Sequence, residues 1–391
     1  MLLVAFPNCF EKETVERIEN RYVPYEDEYQ VRIQFMTSKE KNILRRFFMK
    51  LDWNLGSAKV LSMLKNAGIT TASEFILSNI HSKETTQQVM NDLWETEHIL
   101  LAELFSNSCL NISISTSLKE IIQDSLNSAL DDLLENHNII PCNYLHRLDP
   151  HLQISELELL KTQHMQLLLS KNCTTIEHAY GFQLHWRVEI NENKRTVLGQ
   201  LMMDMIQDKT SAIDTLFGAV QNLGSSISWK HFLQLLHLLS VTIEEEKSNI
   251  SRLKIIIKEM FNKVIQDNNF DEFLLLMLTA REICSSNKSI LGDYTNWYKM
   301  TFGEMSYRVS KVQFMQVMEM MTKLIELENN LEYLPVHVTV SISSPPKCMD
   351  LVVTYKQLCR AQLAKINNKA NTPRPMEQPD ETNEISIVID D

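Results

Sequence analysis

The residues best able to do chemistry are scattered acids, histidines and cysteines, and their spacing decides what they could do. Glu95-x-x-His98 has the i, i+3 spacing by which di-iron helix bundles bring a carboxylate and an imidazole to one metal. That chemistry needs a second such pair and two further glutamates, and no second Glu-x-x-His occurs. An exposed helix pair is the simpler reading. Asp267-x-Asn269-x-Asp271 begins like a calcium loop, but its sixth position is Glu272 where the turn requires glycine, and its twelfth is Leu278 where a bidentate glutamate belongs. A helix-capping turn is what remains. Cys142-x-x-x-His146 with His151, and Cys173 with His178 and His185, offer zinc-ligand types at spacings that fit no finger or ribbon. No G-x-S-x-G, H-E-x-x-H, P-loop or dinucleotide fingerprint is present, and the glycines lie too far apart for a phosphate cradle. The expectation is a protein that is not an enzyme, with no catalytic residues, no metal and no cofactor.

The end of the chain is more specific. Between Ala370 and Asp391 there are three prolines, six acids and one basic residue, a composition that predicts disorder. Within it Ile385, Ile387, Val388 and Ile389 form an isolated β-branched cluster closed by Asp390 and Asp391. Such a segment has strand propensity but no sheet of its own, so it can add to the edge of a partner's sheet while the acids face a basic rim. The pattern resembles a SUMO-interacting motif, and Ser386 inside it could add negative charge if phosphorylated.

The elements that must position these residues read as helices. Thr37-x-x-Glu40, Thr71-x-x-Glu74, Ser117-x-x-Glu120 and Ser155-x-x-Glu158 have capping-box spacing, in which hydroxyl and carboxylate satisfy the free N–H groups of a first turn. Leu118, Ile121, Ile122, Leu126, Ala129, Leu130, Leu133 and Leu134 form one apolar stripe. Trp229, Phe232, Leu233, Leu236, Leu239 and Ile243 form another, with Leu235 and Leu238 on the opposite face, so that helix should lie centrally. Met318, Met321 and their neighbours read as core, whereas Met315 and Met320, off the stripe, suit an interface. Lys41, Arg45, Arg46 and Lys50 on one helix, and Lys356, Arg360, Lys365 and Lys369 on the last, read as solvated basic faces.

Two places break the helical pattern. Val336, Val338, Val340 and Ile342 alternate with polar residues behind Pro335, which predicts a short extended segment near 336–342. Pro141 and Pro150 mark a boundary. The expected organisation is an N-terminal helical unit over 1–140, a loop over 141–153, a C-terminal helical unit over 154–369 and the tail over 370–391.

Composition agrees with an all-α fold, an irregular multi-helix array. Only 8 of 391 residues are glycine, about a third of ordinary usage, too few for turn-dense sheets and barrels. A net charge of −12 disfavours direct nucleic-acid binding, which usually requires a basic surface to replace counterions. The 7 cysteines form no C-x-x-C pair and suit a reducing compartment. The longest apolar run, Phe273–Leu278, is far too short to span a bilayer, so no membrane partner is expected.

From Leu198 onward, LGQLMMDMIQDKTSAIDTLFGAVQNLG, SISWKHFLQLLHLL and VVTYKQLCRAQLAKI resemble the helical region of the SUMO-interacting-motif-containing proteins, the localization factors of the SMC-five/six complex, which is similar to yeast non-SMC element five. That resemblance implies a nuclear scaffold in DNA repair that heterodimerises with a helical protein similar to non-SMC element six and directs an SMC complex to SUMO-marked sites. Ile385, Ile387, Val388, Ile389, Asp390 and Asp391 would bind SUMO. In that family the SUMO motifs lie ahead of the helical region, whereas here one follows it. The alternative reading is a helical nucleic-acid-binding module using the Arg45-Arg46 and Arg360 helices.

Overall fold

Several helix starts in this chain are set by side chains that satisfy the free backbone groups of first turns. The computed structural model describes residues 33, 35–54, 56–79, 81–110, 116–135, 144–193, 196–224, 227–243 and 247–371, and among them regular structure is helical, with no strand. The elements are α1 (Ser38–Phe48), α2 (Ser57–Asn66), α3 (Ala72–Ser78), α4 (Lys83–Glu95), α5 (His98–Leu110), α6 (Thr116–Leu134), α7 (Tyr144–Leu148), α8 (Ile154–Leu169), α9 (Ile176–Asn193), α10 (Val197–Met205), α11 (Lys209–Leu223) and α12 (Trp229–Thr242). They continue with α13 (Lys247–Asp267), α14 (Phe270–Ser286), α15 (Lys288–Leu291), α16 (Tyr294–Tyr298), α17 (Lys311–Leu327), α18 (Leu334–Thr339) and α19 (Met349–Asn371).

The Thr37–Glu40 and Thr71–Glu74 capping boxes form as expected. Ser117 and Ser155 lie inside first turns rather than before them. Ahead of α8 it is the Glu156 carboxylate, buried, that accepts the Gln153 N–H at 2.8 Å, and it also accepts the Ser106 hydroxyl of α5 at 2.6 Å. Asn269 caps α14 by accepting the Asp271 N–H at 2.8 Å, so the calcium-loop-like stretch is a capping turn.

The chain divides into two compact units at Ile256–Ile257, inside α13. The division expected at 141–153 falls elsewhere because α5 and α6, before that stretch, pack directly on α8, after it. In the first unit α5 buries Leu100, Leu101, Leu104 and Phe105 and is surrounded by α3, α4, α6, α7 and α8. Residues 231–240 of α12 are all buried, with α8, α9, α10 and α11 packed around them. A helix that buries its polar positions, His231, Gln234 and His237, along with its apolar ones is stable only where neighbours cover every side.

In the second unit α14 has the same role: every residue from Phe273 to Cys284 is buried, including Arg281 and Glu282. The Arg281 guanidinium bonds the Glu328 carboxylate at the end of α17, and both side chains are almost wholly inaccessible. Its carbon also lies 4.4 Å from the centroid of the Tyr333 ring and 5.7 Å from that of Tyr294, so ring faces complete its solvation. Glu328 in turn accepts the Asn330 N–H at 3.0 Å, and its backbone carbonyl accepts the Gln362 amide of α19 at 3.1 Å.

The expected extended segment at 336–342 is corrected: Leu334–Thr339 is helical, with Pro335 in the first turn, and only the stretch from Val340 lacks regular structure. Pro preset the first-turn geometry. The register that results buries His337, whose Nε2 lies 3.0 Å from Tyr294 Oη and Nδ1 2.6 Å from Tyr355 Oη, and Tyr355 Oη lies 2.9 Å from Tyr298 Oη. A neutral imidazole offers one donor and one acceptor, so either tautomer satisfies both neighbours. These bonds outweigh the β propensity of the valines. Beyond Val340 the chain is tied to a π-helical turn at Lys299–Gly303, where Ser343 donates its backbone N–H and its hydroxyl to Gly303 O, each at 2.8 Å.

Arg281→Ala leaves a carboxylate buried without its counter-charge and is expected to cost about 3–5 kcal/mol in urea unfolding of the full chain. The double change Arg281→Met with Glu328→Leu should recover most of that loss; equal losses in the two chains would contradict this account.

Candidate interaction groove

Among the described residues, those singled out for chemistry are not brought into one centre. Glu95 ends α4 and His98 begins α5, so a turn separates them and the i, i+3 geometry is absent. His98 instead comes near Arg147 and His151; burial first, and then those two charges, lower its pKa. Among the described residues no group of three or more histidines, cysteines or acids could hold a metal. Cys142 and the tail residues Ile385, Ile387, Val388, Ile389, Asp390 and Asp391 lie outside the described residues. His178 stacks on Phe182 with ring centroids 4.3 Å apart, and His185 pairs with Glu189 one turn on. The thiols of Cys284 and Cys359 are pushed up by burial, to about 12 and about 11, away from the reactive thiolate form.

The basic faces are also partly structural. Lys41 donates to Ala67 O at 3.2 Å and Arg45 pairs with Glu74 at 3.0 Å. Lys356 departs from the expected solvated face: it is buried and donates to the carbonyls of His337, at 2.6 Å, and Val340, closing the end of α18. Burial lowers its pKa to about 8.

Two surfaces are shaped differently from a solvated helical exterior. In the first unit, Phe182 of α9 is exposed beside His178, His185 and the buried Trp186, and Leu184 and Val188 are exposed on another side of the same helix. The same unit holds a polar cleft of about 440 Å³ lined by Trp186, Ser228, Lys230, His231 and Gln234. Its charged group, Lys230, is bonded to Glu189.

In the second unit a groove of about 500 Å³ runs between α17 and α19. Its walls are Val312, Met315, Met318 and Thr322 on one side and Leu351 and Thr354 on the other, with Gln316 and Glu319 at the rim. The sequence makes this groove by giving each helix two apolar sets. On α17, Phe314, Val317, Met318, Met321 and Leu324 turn inward, and Met320 joins them at 3% exposure, correcting its expected interface role. Val312 and Met315 stay outside, at 65% and 46% exposure. On α19, Val352, Tyr355 and Cys359 turn inward and leave Met349, Leu351, Val353 and Leu358 exposed. From Arg360 to Asn368 no residue of α19 is buried. Exposed apolar residues set side by side over a groove are the kind of patch that marks contact surfaces.

The helical run that makes these surfaces matches a family model, Fanconi anaemia group A protein N terminus, over residues 29–368. The chain belongs to this family. No curated protein matches the chain. The Fanconi match spans every segment on which the resemblance to the SMC-five/six localization factors rested, and it overturns that resemblance. With it go the non-SMC-element-six-like partner, the SMC complex and the SUMO-directing role. The resemblance was carried by the style of the helices, and amphipathic helices of similar length recur in unrelated helical arrays. Among the described residues no helix is long and apolar enough to cross a membrane.

Burial lowers the pKa of His164 and of His231 to about 4, and that of His337 well below its ordinary value. Each folded pKa lies below the unfolded one, so the unfolded chain binds more protons on acidification. Stability should hold above pH 6.5 and fall from there towards pH 4 by about 1.4 kcal/mol per pH unit for each fully titrating histidine; urea midpoints that stay constant from pH 7.5 to 4.5 would refute this. Val312→Glu with Met315→Glu, both at exposed positions, should change stability by less than about 1 kcal/mol, and a larger loss on thermal unfolding would place these side chains in the core.

Proposed function

We propose that this chain is a non-catalytic helical scaffold of DNA repair that works in the nucleus by docking proteins of the Fanconi core complex. The family match over residues 29–368 carries this reading. Physical features support it. Burial raises the Cys284 and Cys359 thiols out of the thiolate range, Lys230 of the polar cleft and Lys356 of α19 are committed to Glu189 and to backbone carbonyls, and apolar side chains stay exposed for recognition. Contact surfaces of this kind derive affinity from a few desolvated apolar and aromatic anchors. Phe182 and Val188 of α9 are among the exposed apolar residues that the first unit offers as anchors, and the α17–α19 groove is the corresponding feature of the second.

Affinity purification of the tagged full chain from nuclear extract, read by mass spectrometry, should recover Fanconi core complex proteins. Phe182→Glu with Val188→Glu should reduce that recovery at least tenfold while leaving the helical circular dichroism unchanged. Recovery of SMC-five/six subunits in place of Fanconi proteins would refute the reading.

A further inference from the structure

The α17–α19 groove has a candidate occupant within the same chain. We propose that it is the docking site for the chain's own segment Ile385–Ile389. Helix α19 ends at Asn371, and the sequence continues for 20 residues, in which Ile385, Ile387, Val388 and Ile389 are the apolar cluster. The mid-groove residue Thr354 lies 17 residues back along α19, about 26 Å at 1.5 Å per residue. The 13 residues 372–384 span at most about 43 Å fully extended and about 20 Å as a root-mean-square coil, so the reach brackets the distance.

The dimensions of segment and groove also agree. An extended Ile385–Ile389 is about 13 Å long and places Ile385, Ile387 and Ile389 on one face. On α17 the groove runs from Val312 to Thr322, about 15 Å of helix. Charge complements the segment at one end of the groove. Glu384 precedes the segment and Asp390 and Asp391 follow it, while exposed Lys311 adjoins Val312. Of the acids beside the groove, Glu319 is paired with Lys323 at 3.0 Å and Asp350 adjoins Leu351. Tethering makes the association intramolecular, so a contact too weak to hold a free peptide is populated at the millimolar effective concentrations of short linkers. This inference does not rest on the Fanconi reading, since it uses only the groove and the sequence that follows it.

Hydrogen exchange of the full chain, read by mass spectrometry, tests it. Ile385→Ser with Ile387→Ser and Ile389→Ser should speed exchange severalfold in peptides from 311–322 and 349–358. Val312→Glu with Met315→Glu should do the same for peptides from 380–391. Both effects should be independent of protein concentration. Unchanged exchange in these peptides would overturn the proposal. So would protection that disappears on tenfold dilution, because the occupant would then be the tail of a second copy.

Discussion

The second unit depends on one buried charge pair. Arg281 sits in the middle of an apolar helix that buries twelve consecutive positions, Phe273–Cys284, and a guanidinium there is tolerable only because Glu328, Tyr333 and Tyr294 together replace its water. That requirement fixes where the end of α17 must lie relative to α14. The residues beside it then fall into order: Glu328 holds Gln362 of α19 through its carbonyl, and Tyr294 reaches His337, which reaches Tyr355. Lys356, next to Tyr355, closes α18. The pair is weak evidence for net stability, because an apolar substitute of similar volume could pack as well. What it supplies is uniqueness of arrangement, since any other docking of α17 leaves a buried charge alone.

The groove is a consequence of that arrangement. With α17 and α19 held by their inner faces, Val312 and Met315 on one and Leu351 on the other have no core left to enter. They line a channel on the outside of the unit. The chemistry of the chain points the same way, because burial holds the Cys284 and Cys359 thiols protonated, Arg281 and Lys356 are bonded, and apolar side chains line an open groove. Membership of the Fanconi group A family gives this physical picture a biological setting in DNA repair, and the docking role proposed for the chain belongs to that setting.

Much of the fold was legible in the residues. Scarce glycine and repeated 3-and-4 spacing gave the all-α class, and Thr37, Thr71 and Asn269 announced the helix starts that they cap. The failures have local causes. Val336, Val338 and Val340 alternate as a strand would, yet tertiary bonds to His337 decided the conformation. Pro141 and Pro150 looked like a boundary because sequence shows breaks in helices but not which helices pack across them. Lys356 read as solvated because its acceptors, two carbonyls of α18, are set by the fold. Met315, off the α17 stripe, was legible as an exposed contact residue, but the groove that it lines with Val312 was not; the Arg-Glu dipeptide inside FLLLMLTAREIC likewise marked a buried charge that needed a partner. The family resemblance failed because helical patterning records burial, and burial is common to many helical arrays.

The central claim is that this chain acts through apolar surfaces and not through reactive side chains. Functional replacement in cells lacking the chain tests it most directly, with survival after DNA damage as the readout. The account predicts that survival is lost with Phe182→Glu and Val188→Glu and retained with Glu95→Gln, His98→Ala and Cys173→Ser. Retention with the first set and loss with the second would contradict it.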